Sequence, residues 1–81
     1  MTIRVLAFAG AREMLGAPHF ELDLPSGASV RDAWSRLEAE FPGLAPHRSS
    51  LRVAHNGSLA DLDGALRDGD ELALLPPVGG G

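Results

Sequence analysis

The chain is 81 residues long and carries a formal net charge of −4, so it makes one small domain. A domain of that size buries only about 60% of its unfolded surface, which leaves little room for a deep active-site cavity. The acidic balance argues against nucleic acid or an anionic membrane as a partner, and zero cysteines exclude disulfides, thiolate metal sites and a nucleophilic thiol.

Met1-Thr2-Ile3-Arg4 does not start a signal peptide, and no apolar run reaches membrane-helix length, so a soluble cytoplasmic protein is expected. Ile3–Phe8 reads as a first strand, with Ile3, Val5 and Ala7 on one face and Arg4, Leu6 and Phe8 on the other. A strand apolar on both faces is central in a sheet or covered on its second face. Phe8 is therefore either a partner contact or an ordinary second-face core residue. Ala11–Leu15 makes a short helical turn that Gly16 can end. Pro18–Leu24 alternates cleanly, with Phe20, Leu22 and Leu24 inward and His19, Glu21 and Asp23 outward, which closes a hairpin.

Pro25-Ser26-Gly27 is a turn, and Ser29 is an N-cap with Asp32 completing a shortened capping box. Val30, Ala33, Trp34, Leu37 and Phe41 then form one apolar helical stripe, ended by Pro42-Gly43. Trp34 is read as core rather than as a ligand contact. Leu44–Ser50 is expected to be loop. Leu51–His55 is a third strand, Asn56-Gly57 a turn that tolerates positive φ, and Ser58–Ala60 a small fourth strand. Asp61–Gly64 reads as a turn with Leu62 plugging inward. Asp68-Gly69-Asp70 is another turn, and Glu71–Leu75 is the last strand. The order implies an α+β domain, a sheet wrapped over one main helix.

Most chemical constellations are missing. His19, His47 and His55 lack a metal-ligand spacing. The pairs Asp61/Asp63 and Asp68/Asp70 fit turns better than a calcium loop, which needs more oxygen ligands. No phosphate-binding loop and no nucleophile–base set is present. The stretch Pro76-Pro77-Val78-Gly79-Gly80-Gly81 is different. Two prolines fix φ in a stem that reaches roughly 17 Å when extended, and the bare glycines after it can thread a narrow channel. The arm looks made to deliver the Gly81 carboxylate into another protein. A carboxylate is a poor electrophile, so acyl chemistry requires prior activation, for example as a mixed anhydride with AMP, by a partner that binds nucleotide.

Several stretches together resemble the MoaD family, the small, ubiquitin-like sulfur-carrier subunit of molybdopterin synthase. They are Arg4–Phe8 with Ala11-Arg12-Glu13, Ala28–Asp32, Val53–Gly57, Asp68–Leu75 and above all Pro76–Gly81. The resemblance spans essentially the whole chain. It implies a β-grasp fold with a mixed sheet of four to five strands, residues 1–75 forming the domain and 76–81 a flexible Gly-Gly tail. It also implies that Gly81 is adenylated by an ATP-dependent E1-like adenylyltransferase and converted to a thiocarboxylate with a sulfur donor protein. The loaded end then donates sulfur to cyclic pyranopterin monophosphate in the active site of the large subunit, within a heterotetramer, to form the dithiolene. The chain would need no cofactor and no catalytic site of its own. Phe8, Leu59 and Leu75 fall at the family's apolar docking positions, and Pro76, Pro77, Val78, Gly79 and Gly80 would bind the partner by inserting into its active site. Gly79 loosens the tip where relatives carry a larger residue, and His55 replaces a small apolar residue before Asn-Gly. A carrier for thiamine or tRNA thiolation and a ubiquitin-like protein modifier are the alternatives.

Overall fold

The computed structural model describes residues 1–8, 10–47 and 52–75. Its elements are β1 (Thr2–Ala7), α1 (Gly10–Leu15), β2 (His19–Asp23), α2 (Val30–Glu40), a 3-10 helix (Pro42–His47), β3 (Arg52–His55), β4 (Ser58–Leu59) and β5 (Glu71–Leu75). The five strands form one mixed sheet in the order β2-β1-β5-β3-β4. The first and last strands lie side by side and parallel, Arg4 opposite Glu71 and Ala7 opposite Leu74, while every other pairing is antiparallel. With α2 packed on one face, this is the β-grasp arrangement. The expected tail, Pro76–Gly81, lies outside the described residues, as does Leu51, expected to open β3.

Period-two alternation decides which side of the sheet is core. Ile3, Val5, Ala7, Leu22, Leu72 and Leu74 are buried, and they meet Val30, Ala33 and Leu37 of α2. Trp34 and Phe41 pack against this core half-buried, and the Phe41 ring sits 5.4 Å from that of Phe20. Gly16 (φ +75°) follows the last residue of α1 in the left-handed conformation that favours glycine. Asn56 (φ +49°) and Gly57 (φ +86°) both take positive φ in the two-residue turn between β3 and β4.

The N-terminus of α2 is capped twice. Ser29 Oγ accepts from the Asp32 N–H, and Asp32 Oδ2 accepts from the Ser29 N–H. These bonds, the one from the Ser29 backbone foremost, hold the Asp32 carboxyl below its ordinary value. The Val30 and Arg31 N–H groups donate to the carbonyls of Gly64 and Leu62 at 3.0 and 2.8 Å. That second cap overturns one expectation. Leu62 does not plug inward but is 46% exposed, because its segment turns backbone carbonyls toward the helix, and Leu66 fills the core instead. Of the loop expected over Leu44–Ser50, the described part, up to His47, differs, and residues 48–50 lie outside the described residues. Pro42–His47 winds as a 3-10 helix and buries Leu44 completely. The Leu44 N–H bonds to the Phe41 carbonyl at 2.9 Å, so the chain tightens rather than stops after α2.

Candidate functional site

Burying Ile3, Val5 and Ala7 sends Leu6 and Phe8 to the other side of the sheet, and burying Leu72 and Leu74 does the same for Ala73 and Leu75. No element covers that side among the described residues. The registers line up Leu6, Ala73, Ala54 and Leu59 as successive cross-strand partners, an apolar row over four strands. One step further along β5, Leu75 stands between Phe8, whose N–H donates to the Leu74 carbonyl at 3.2 Å, and Arg52. Phe8 is 42% exposed and Leu59 75% exposed, while Leu75 is half-buried. Among the described residues the exposed large apolar side chains are Phe8, Leu59 and, in the turn after β4, Leu62, and the first two make this face the candidate contact surface.

The structure therefore brings Phe8, Leu59 and Leu75 onto one face, with Leu59 two strand spacings from Leu75's strand, or about 10 Å. Leu6, Ala54 and Ala73 join them, and sequence reasoning had not singled them out as contacts. The alternation of β1 and β5 was signal enough for Leu6 and Ala73. Ala54 needed the register of β3 on β5. Of the predicted site residues, Pro76, Pro77, Val78, Gly79, Gly80 and Gly81 lie outside the described residues.

The charge on this face is graded. Arg4 has Glu21 and Glu71 as cross-strand partners, so the end of the face near the start of β5 carries more acid than base. The other end, at Leu75, holds Leu6, Phe8 and Leu75 with the exposed Arg52.

β5 is held along both edges, and its start is anchored by a polar cluster. Asp70 Oδ2 lies 2.8 Å from His55 Nε2 and accepts from the Arg67 N–H at 2.9 Å, and Asp70 Oδ1 accepts from Asn56 Nδ2 at 3.1 Å. Asn56 Oδ1 in turn accepts from the Glu71 N–H. The His55 bond, then the Asn56 amide and the Arg67 N–H, hold the Asp70 carboxyl down to about 2. His55 is thus a boundary residue tied to a turn. The other paired carboxylates also serve turns and ladder ends, since Asp61 Oδ1 accepts from the Asp63 N–H and Asp68 Oδ1 from the Thr2 N–H. Among the described residues no three His, Cys, Asp or Glu side chains converge as a metal site, and no helix is long and apolar enough to cross a membrane. An open groove of about 590 Å³ runs between Leu24–Ala28 and the outer side of α2, but its Asp32 carboxylate is already engaged in the helix cap.

The described residues of this face offer an apolar surface beside β5, which is paired on both edges. The ThiS family model matches residues 5–81. The molybdopterin synthase sulfur carrier subunit of Arabidopsis thaliana is 38% identical over 79 residues, covering 98% of this chain and 82% of that protein. SAMP1 from Haloferax volcanii superposes with a TM-score of 0.89 at 32% identity, over 100% of both chains. A chain from the complex of subunits 1 and 2 of the molybdopterin-converting factor of Helicobacter pylori 26695 gives a TM-score of 0.73 at 28% identity, again over 100% of both chains.

Proposed function

The chain belongs to the ThiS family, and from that membership we propose that it is a sulfur carrier of molybdenum cofactor biosynthesis, the small subunit of a molybdopterin synthase. The observation that carries this reading is the match along nearly the full chain to a protein named molybdopterin synthase sulfur carrier subunit. Residues 1–75 are the handle and residues 76–81 the arm.

The working group is the Gly81 carboxyl. An ATP-dependent E1-like adenylyltransferase joins it to AMP and releases pyrophosphate. Sulfur supplied at the sulfide level, as hydrosulfide, by a donor protein then replaces the adenylate: a C–S bond forms, the C–O bond to phosphate breaks, and AMP leaves with the electron pair. The thiocarboxylate enters the large subunit's active site and attacks cyclic pyranopterin monophosphate, and two such transfers build the dithiolene. Phe8, Leu59 and Leu75 dock the handle, and Pro76, Pro77, Val78, Gly79 and Gly80 thread the channel. The H. pylori neighbour, solved in complex with its subunit 2, supports a large-subunit partner.

Reconstitution tests the proposal. The chain bearing a Gly81 thiocarboxylate, mixed with a large synthase subunit and cyclic pyranopterin monophosphate, is expected to yield molybdopterin and return the carboxylate. The likeness to SAMP1, a small archaeal modifier protein, favours a second reading as a protein modifier. Capture from the native cell separates the two: a large synthase subunit supports the first, and isopeptide-linked targets without that subunit support the second.

A further inference from the structure

We propose that the folded body is built as a non-acceptor for its own activated end, so that an acyl group at Gly81 meets no reachable amine on the chain that carries it. The proposal rests on reading Gly81 as an activated acyl carrier. The hazard is chemical. An acyl adenylate or thioester is attacked by a neutral primary amine: the C–N bond forms, AMP or thiolate leaves with its electron pair, and the amine proton passes to water. A group tethered by six residues meets nearby amines at millimolar effective concentration, so one well-placed lysine would divert the carrier into a dead-end cyclic amide.

The sequence contains no lysine, and all seven of its basic residues are arginine. Arg4, Arg12, Arg31, Arg36, Arg52 and Arg67 are exposed. A guanidinium stays protonated and offers no nucleophilic lone pair, whereas a lysine amine with a pKa near about 10.4 keeps a small neutral fraction at neutral pH. The body thus keeps its positive charges without keeping a lysine amine. Arg52 is the telling case, because it is the direct cross-strand partner of Leu75, where the arm begins.

The Met1 nitrogen, a primary amine where Met1 is the first residue, is set apart by the fold. The parallel register of β1 on β5 places Phe8 level with Leu75, so Met1 lies seven residues down the strand. At about 3.3 Å per residue that is roughly 23 Å, against a reach of roughly 20–22 Å for the six residues after Leu75 fully extended. The amine is also engaged. It donates to the Leu24 carbonyl at 2.8 Å, and the Leu24 N–H returns a bond to the Met1 carbonyl. Were Met1 removed, the new amine would be the nitrogen that donates to Asp68 Oδ1 at 2.8 Å, at the same far end of the sheet. The parallel pairing that defines the fold and the lysine-free surface therefore act together.

The test uses the full chain prepared as a Gly81 thioester, which requires no loading enzyme, with its fold checked by circular dichroism and its products read by intact mass. The unsubstituted chain is expected to end as the free acid by hydrolysis. Arg52→Lys is expected to be consumed at least about tenfold faster, giving a species one water lighter than the acid with residue 52 linked to Gly81. Head-to-tail cyclisation or amide-linked dimers of the unsubstituted chain would overturn the proposal. So would an Arg52→Lys chain that only hydrolyses, since the missing lysines would then protect nothing. Native protein that never carries sulfur would count against the sulfur-carrier reading alone, because the thioester is made chemically.

Discussion

His55 and Asp70 face each other from the end of β3 and the turn before β5, Nε2 to Oδ2 at 2.8 Å, with both side chains largely shielded. The contact fixes where the last strand begins, and it gives acid unfolding a definite signature. The Asp70 carboxyl is held down to about 2 from an ordinary 3.8. A carboxylate whose folded value lies below its unfolded one stabilises fully above the unfolded value and loses that stability as pH falls through the folded one. Thermal unfolding of the natural chain and of Asp70→Asn is expected to differ most above about pH 4, with the gap closing toward about pH 2. A gap that does not change across this range would contradict the pairing.

Docking and stability are expected to separate at Phe8. Because Phe8 is 42% exposed on the uncovered face, Phe8→Glu is expected to cost less than about 1 kcal/mol of stability. Loss of an apolar anchor at the centre of an interface costs about 2 kcal/mol or more, so affinity for a large synthase subunit is expected to fall about thirtyfold. Calorimetry and a binding titration on the same sample check both. Large thermal destabilisation with unchanged affinity would place Phe8 in the core.

Leu44 is a core residue of the 3-10 helix, and Leu44→Ala is expected to destabilise by about 2–5 kcal/mol. Ser29→Ala removes one half of the capping box and is expected to cost about 1 kcal/mol. Denaturant titration measures both. The ranking is the test: a cap loss larger than the cavity loss would contradict the burial of Leu44.

The arm is expected to tolerate no change in length. Removing Gly81, or appending one residue after it, is expected to leave the melting temperature unchanged and to abolish sulfur transfer. The body up to Leu75 closes its own core, and the reacting carbon is displaced by one residue, about 3.3–3.6 Å, from where the partner needs it. Dithiolene formation by an extended, untrimmed chain would contradict the arm's role.

Local signals carried most of the elements. Alternation through Phe20, Leu22 and Leu24, the Ser29 cap with Asp32, and the positive-φ pair Asn56-Gly57 each sit in a few adjacent residues and appear in the structure as read. What failed depended on distant backbone. Leu62 looked like a plug because it is the apolar residue of an acidic turn, but the first turn of α2, some thirty residues away in sequence, takes that segment's carbonyls, and Leu66 takes the core position. Leu44 sat among prolines and polar residues with no period to read. The apolar row from Leu6 to Leu59 was half visible. Its members on β1 and β5 follow from alternation, but the strand order that joins them sets residue 6 beside residue 73, which no local pattern encodes.

The most direct measurement is the intact mass of the native protein from cells actively making molybdenum cofactor. A fraction of chains in which sulfur replaces one oxygen of the Gly81 carboxyl is the predicted result. Material that carries only oxygen there, under conditions where the cofactor is being made, would contradict the sulfur-carrier function.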